Sequence, residues 1–219
     1  LRTTARRVDG GWRLTGSKVF ISHAAHAGLF FVVATIERAH KHKGVTAFLV
    51  DPRETSGITI GDFPMRTLKR DNLAEVHFED AFVPEAGLLG EPGRGFPILG
   101  SALDTGRFSV AARCVGQAQR CLDLAIPYAM QREAFGQKIG SFQMIQQKIA
   151  DMVCRTEQAR LLVYRLGRMQ DAGVARASLE SSLAKLCASQ AAVHNALDGM
   201  QIFGGYSCTQ EYEIGRLLM

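Results

Sequence analysis

The chain has 219 residues, 47% of them apolar and 21% charged, with a formal net charge of +5. That is ordinary globular composition, with enough apolar surface for a real core in one large domain or two small ones. The positive charges are scattered, which argues for a weak attraction to anions rather than a nucleic-acid stripe, and no apolar run reaches the roughly 18–20 residues that cross a bilayer.

Residues 1–92 carry strand grammar. "VDGGW" places an Asp-Gly turn between two short extended runs. "KVFIS" (18–22), "LFFVVAT" (29–35), "VTAFLVD" (45–51) and "GITIGDF" (57–63) are rich in β-branched and aromatic residues. "AEVHFEDAFVP" alternates at Val76 and Phe78 and ends at Pro84. Strands recurring between turn residues predict an antiparallel sandwich or barrel.

Residues 93–219 change period. From Arg107 the apolar positions are 108, 111/112, 115, 118, 122, 125 and 129; from Ile145 they are 145, 149, 152, 159, 163 and 166; from Leu179 they are 179, 183, 186, 193, 197 and 200. Steps of three and four over such lengths predict three amphipathic helices with these residues facing the core. Gly136, Gly140 and Gly173 mark the breaks, Ser141 is a candidate N-cap, and short links favour antiparallel packing in a bundle. Pro127, inside the first helix, is expected to kink it. The overall expectation is an α+β chain: a β-domain over 1–92, then an up-down helical bundle over 93–219.

Five cysteines at 114, 121, 154, 187 and 208 form no C-x-x-C pair, so neither a disulfide framework nor a zinc site is expected, and they read as free core thiols in a reducing compartment. "HAAH" and "HKH" read as solvated loop histidines, and no metal site is expected.

Four stretches have chemistry available. "REAFGQKIGSFQ" puts Arg132 at a helix end and Gln143 at the next helix start. A guanidinium fork and unpaired helix-start N–H groups both suit a phosphate, although a plain helix–helix turn explains the same letters. In "QIFGGYS", Gly204-Gly205 is a helix stop that would also let backbone approach a ligand closely, with Gln201 one turn upstream. In "KVFIS", Phe20 offers a flat face and Ser22 a hydroxyl, against an ordinary strand end. In "ALDTGR", Asp104 and Arg107 share one helix face, as a surface ion pair or as the lining of a pocket.

Taken in order, "LTGSKVFIS", "GVTAFLVD", "VHFEDAFVP", "ALDTGR", "REAFGQKIGSFQMIQQKIADM" and "QIFGGYSCTQEY" resemble the acyl-CoA dehydrogenase family nearly end to end. The helical half is the more specific: R-x-x-F-G, then F-Q-x-x-Q-x-x-I-A-D-M, then Q-x-x-G-G-Y. The resemblance implies most of a middle β-domain followed by most of a C-terminal helical domain, in a homodimer or homotetramer of the bacterial cytoplasm or mitochondrial matrix. It implies FAD, with Phe20, Ile21 and Ser22 beside the flavin ring and Ser22 bonding near N5. Arg132, Phe135 and Gln143 would grip the pyrophosphate and adenine end of a dinucleotide held mainly by a neighbouring subunit; Gln201, Gly204 and Gly205 would form a second such segment. Asp104 and Arg107 would line an acyl-thioester channel.

The implied reaction is α,β-dehydrogenation of an acyl thioester on CoA or on a carrier protein. A carboxylate takes the α-proton while the β-carbon gives hydride to the flavin, and an electron-transfer flavoprotein is a possible acceptor. An acyl-CoA oxidase, a flavin monooxygenase relative and an inactive scaffold remain alternatives. The family's usual glutamate base would lie beyond Met219, and its flavin-side Gly-rich motif before Leu1, as expected of a piece of a longer protein. Gly106 stands where some members carry the base, and Cys208, Glu213 and Gly215 depart from the common C-terminal pattern.

Overall fold

A computed structural model describes residues 2–63, 73–174 and 176–219. The chain divides into two units, Leu1–Ala102 and Leu103–Met219. In the first, the strands are β1 (Thr4–Val8), β2 (Gly11–Ser22), β3 (Phe30–Thr35), β4 (Val45–Val50), β5 (Ile58–Asp62), β6 (Leu73–Pro84) and β7 (Leu88–Leu89). They form one sheet in the order β5-β6-β2-β1-β3-β4-β7, antiparallel except for a parallel β1–β3 contact at Thr4 and Thr35. Asp9-Gly10 makes the two-residue turn between β1 and β2, with Val8 opposite Gly11 and Gly10 at φ +74°.

Alternation decides which way each strand faces. Ala74, Val76 and Phe78 of β6 point inward while Glu75 and His77 point out. Trp12 and Leu14 of β2 join Phe48 and Val50 of β4 in the same core. Three strand spacings separate β2 from β4, roughly 14 Å in a flat sheet. The Trp12 and Phe48 ring centres nevertheless lie 5.6 Å apart, so the sheet curls over its core.

The second unit holds most of α1 (Gly95–Gln131), then β8 (Glu133–Ala134), β9 (Gln137–Lys138), α2 (Gln143–Asp171) and α3 (Ser178–Phe203). Helix α1 starts twelve residues before the periodic signal and runs through Pro127 without a break in the helical assignment. On α2 the expected face is buried: Met152, Ala159, Val163 and Leu166. Ser141 lies in a short 3-10 turn, and the N-cap is Phe142.

Helix α3 corrects the sequence reading. Its buried face is Ser181, Ala184, Ala188, Ala191, Ala192, Asn195, Ala196 and Gly199. Leu179, Leu183, Leu186, Val193 and Leu197, expected inside, are exposed on the opposite side. Small residues let α3 lie close to its neighbours, and Asn195 fastens it there. The Asn195 amide donates to the Ala118 and Met152 carbonyls and to Thr156 Oγ1, and its oxygen accepts from Arg155 at 3.2 Å. Arg155 and Lys148 also pair with Asp198 at 2.9 and 3.0 Å. The cysteines are unpaired, but Cys154 and Cys208 are exposed rather than in the core. Burial raises the Cys121 thiol to about 11.

Candidate functional site

In the helical unit, the ends of α1 and α3 and the start of α2 enclose a cavity of about 680 Å³. Five of the sequence-predicted residues line it: Arg132, Phe135, Gln201, Gly204 and Gly205. Gln143 does not; it is the exposed first residue of α2, while its neighbours Phe142 and Ile145 reach the wall.

Strands β8 and β9 form a miniature hairpin whose two-residue turn is Phe135-Gly136. Both turn residues have positive φ, +53° and +80°. That turn favours Asn or Asp before Gly, because a bulky side chain in the left-handed region costs about 1–2 kcal/mol. The Phe135 ring is 96% exposed and touches the Phe142 ring edge-on with centres 6.3 Å apart. A strained backbone and an apolar ring held in solvent are two costs that packing within this unit does not offset.

Arg132 closes α1, its N–H donating to the Tyr128 carbonyl at 2.9 Å. Its guanidinium lies 5.5 Å from the Tyr206 ring centre and has no carboxylate partner among the described residues. Tyr128 stacks on Phe203 at 4.0 Å, and Tyr212 meets Tyr128, Phe203 and Tyr206 edge-on. This aromatic floor fixes the turn Gly204–Cys208 that follows α3. Gly204 adopts φ +60° and ψ −139°, open in practice to glycine alone. A Cβ on Gly205 would meet nothing within 4 Å, so contacts within the chain do not require glycine there. A guanidinium with no carboxylate partner among the described residues, two exposed glycine backbones and flat rings suit a planar, anionic ligand such as a dinucleotide.

The strand unit holds a second cavity, about 350 Å³, lined by Lys18, Ile21, Ser22, Phe31, Val33, Leu99 and their neighbours. Ser22 ends β2 opposite Leu73, just after a bulge between the pairs Lys18–Val76 and Ile21–Ala74. The bulge residue is Phe20, at φ +59°, 60% exposed and edge-on to Phe63 at 4.9 Å. Lys18 Nζ donates to the Val33 carbonyl at 2.7 Å, and burial lowers its pKa.

Asp104 and Arg107 form the i,i+3 ion pair, at 2.8 Å. Asp104 also accepts from Ser178 Oγ at 2.5 Å and from Ser181 Oγ at 3.1 Å, at the start of α3. The Ser178 bond chiefly, with Ser181 and Arg107, holds its carboxyl below the usual range against the opposing effect of burial.

The sequence reading missed the hairpin, the aromatic floor and Lys18. Phe135 before Gly136 is not the usual Asn-Gly or Asp-Gly hairpin signal, which is why the hairpin escaped the sequence reading, whereas Tyr206 follows Gly204-Gly205 directly.

The helical residues 93–219 match the C-terminal domain model of acyl-CoA dehydrogenases, and residues 1–81 match the middle domain model. The chain is 41% identical over 219 residues to an acyl-CoA dehydrogenase of Bacillus subtilis (strain 168), covering all of this chain and 57% of that one. Its fold is similar to a glutaryl-coenzyme A dehydrogenase in complex with glutaryl-CoA (TM-score 0.95, 36% identity, 100% of this chain and 55% of that one). It is also similar to PigA with FAD and proline (TM-score 0.94, 33% identity, 100% and 57%). The chain spans about half the length of the curated relatives it matches.

Proposed function

Since the chain belongs to the acyl-CoA dehydrogenase family, we propose that it binds FAD and serves an enzyme that desaturates an acyl thioester between its α and β carbons. The observation that carries this reading is the cavity where Arg132 faces in without a carboxylate and Phe135 is held strained and exposed. Arg132 takes the pyrophosphate with its guanidinium fork, and Phe135 offers its ring to the adenine end. Gly204 and Gly205 let backbone come close, and Gln201 adds an amide. Gln143 contributes from the mouth of the α2 helix start.

The strand unit supplies the other half of the chemistry. Ser22 Oγ would donate a hydrogen bond to the ring edge of a bound flavin, and Phe20 and Ile21 would supply apolar surface beside it. When bound, FAD accepts the two electrons released as the α,β bond becomes double. The two sets of residues lie in separate units, and we assign the helical set to a dinucleotide held mainly by a neighbouring copy of the chain.

Asp104 is engaged by Ser178, Ser181 and Arg107, so it positions Arg107 and the start of α3. Arg107 keeps further N–H donors free to orient the thioester. Neither cavity is lined by a carboxylate among the described residues, and Gly106 offers none, so the base for the α-proton comes from elsewhere in the whole protein.

Replacing Arg132 with Ala in the full-length protein should lower the flavin retained after gel filtration at least tenfold; undiminished flavin would remove the cofactor assignment. Adding an acyl-CoA without oxygen should bleach the flavin of the unaltered protein. Bleaching by carrier-bound thioesters alone would move the substrate to a carrier protein, and oxygen uptake on turnover would indicate an oxidase.

A further inference from the structure

The sheet of the strand unit has a gap beside the Ser22 cavity. Strand β1 lies between β2 and β3, yet it pairs with β2 only as far as Thr4–Thr15 and meets β3 only at Thr4 and Thr35. Beyond that point β2 stays paired with β6 on its far side, and β3 with β4. Their facing edges have no strand between them among the described residues. Two strand spacings, roughly 9–10 Å, are too wide for backbone groups to pair directly, but a long side chain can cross.

Two residues cross it. At the head of the gap, the Thr3 carbonyl accepts from Thr35 N–H at 3.0 Å, and Thr3 Oγ1 donates to the Ser17 carbonyl at 3.1 Å. Backbone groups on one strand edge recur every second residue, so the Val33 carbonyl faces the gap as Thr35 N–H does. Lys18 Nζ reaches that carbonyl from β2 at 2.7 Å. Beyond Lys18 the gap opens into the cavity that Ser22 lines.

The place of Lys18 in its own strand gives this tie a purpose. Lys18–Val76 is the last β2–β6 pair before the bulge, and pairing resumes at Ile21–Ala74. Phe20, inside the bulge, stands at φ +59°, a conformation an aromatic residue keeps only where its surroundings impose it. Lys18 is half-buried, with no carboxylate partner among the described residues. Methionine would fill the same volume without desolvating a charge. What lysine adds is a donor for a carbonyl that would otherwise face an apolar cavity unpaired.

We propose that Lys18 is a positioning residue for Ser22: by tying β2 to β3 at the head of the cavity, it holds the β2 bulge so that the Ser22 hydroxyl keeps a fixed place in the cavity wall. The inference rests on the reading that Ser22 bonds the ring edge of a flavin, and the effect of Lys18 on the reaction passes through Ser22.

The test is a double-mutant comparison on the full-length protein with FAD, reading flavin content, flavin absorbance and anaerobic reduction by an acyl-CoA. Lys18→Met should leave the flavin bound, shift its absorbance as Ser22→Ala does, and slow reduction about tenfold with little change in the half-saturating acyl-CoA concentration. Lys18→Arg keeps a cation that can span the gap and should restore most of the rate. In the Ser22→Ala background, Lys18→Met should slow reduction no further, because both changes remove one effect. A tie that only stabilises the fold would lower the melting temperature, leave the absorbance unchanged and add its loss to that of Ser22→Ala; that result overturns the proposal. Should Lys18→Met fail to fold, Lys18→Gln, too short to span the gap, carries the same comparison. If the Lys18 variant changes nothing while Ser22→Ala shifts the spectrum, this inference alone falls. If Ser22→Ala shifts nothing, the flavin assignment of Ser22 falls and this inference with it.

Discussion

Phe135 breaks a local rule, and that makes it informative. The first position of a two-residue turn with both φ angles positive is occupied most easily by Asn, Asp or Gly, and here it holds a phenylalanine at φ +53° with its ring 96% exposed. Phe20 repeats the combination at the β2 bulge, at φ +59° and 60% exposed. Strain at both positions weakens the free protein, and a ligand that covers the rings offsets it. Phe135→Asn should therefore stabilise the flavin-free protein by about 1 kcal/mol, because Asn tolerates the left-handed region. The same change should weaken FAD binding several-fold. Thermal melting without FAD and FAD titration measure the two effects. Lower stability without FAD would show that the turn does not strain Phe135. The letters F-G were legible as a ligand-bearing turn, but the strain was not: it depends on the φ angles that the β8–β9 pairing imposes.

At the scale of elements, strands and helices followed from periodicity, and the inner face of α3 did not. A pattern reader weights Leu179, Leu183 and Leu186 above alanine, yet close helix approach selects the alanines for the inside. The polar ties that specify this packing join residues far apart in sequence. Asn195 reaches Ala118 on α1 and Met152 on α2, and no spacing rule connects them. Asn195→Ala should cost about 1–3 kcal/mol, since buried partners lose their bonds, measured by urea unfolding. Asp104 ties α1 to the start of α3 in a pH-dependent way. Its folded-state pKa is depressed, chiefly by Ser178, so its stabilising effect is present above the ordinary aspartate value near 4. That effect is lost as pH falls through the folded value. Asp104→Asn should accordingly melt below the unaltered protein at neutral pH, and the gap should close in acid. A gap that stays constant down to strong acid would show that the carboxylate charge plays no part in the tie.

At the scale of the whole molecule, the two cavities lie in different units and ask different things of a flavin. The Arg132 cavity has the features of an affinity site: a cation without a carboxylate partner among the described residues, open glycine backbone and an aromatic floor. The Ser22 cavity has apolar walls, a hydroxyl and a half-buried lysine in its lining, features that act on the electronics of a ring. Arg132→Ala should then release flavin. Ser22→Ala should retain most of it but shift the flavin absorbance and lower the rate of reduction by substrate. A ligand that binds only the folded state stabilises it by RT ln(1 + [L]/Kd), about 2.7 kcal/mol at a hundredfold excess over Kd. Stripping FAD should thus lower the melting temperature by several degrees, and adding it back should restore the loss in the Ser22 variant but not in the Arg132 variant. Equal restoration in both would mean that the helical cavity does not hold the cofactor. Loss of flavin from the Ser22 variant would move the main affinity into the strand unit, where Phe20, Ile21 and Ser22 would then grip the dinucleotide.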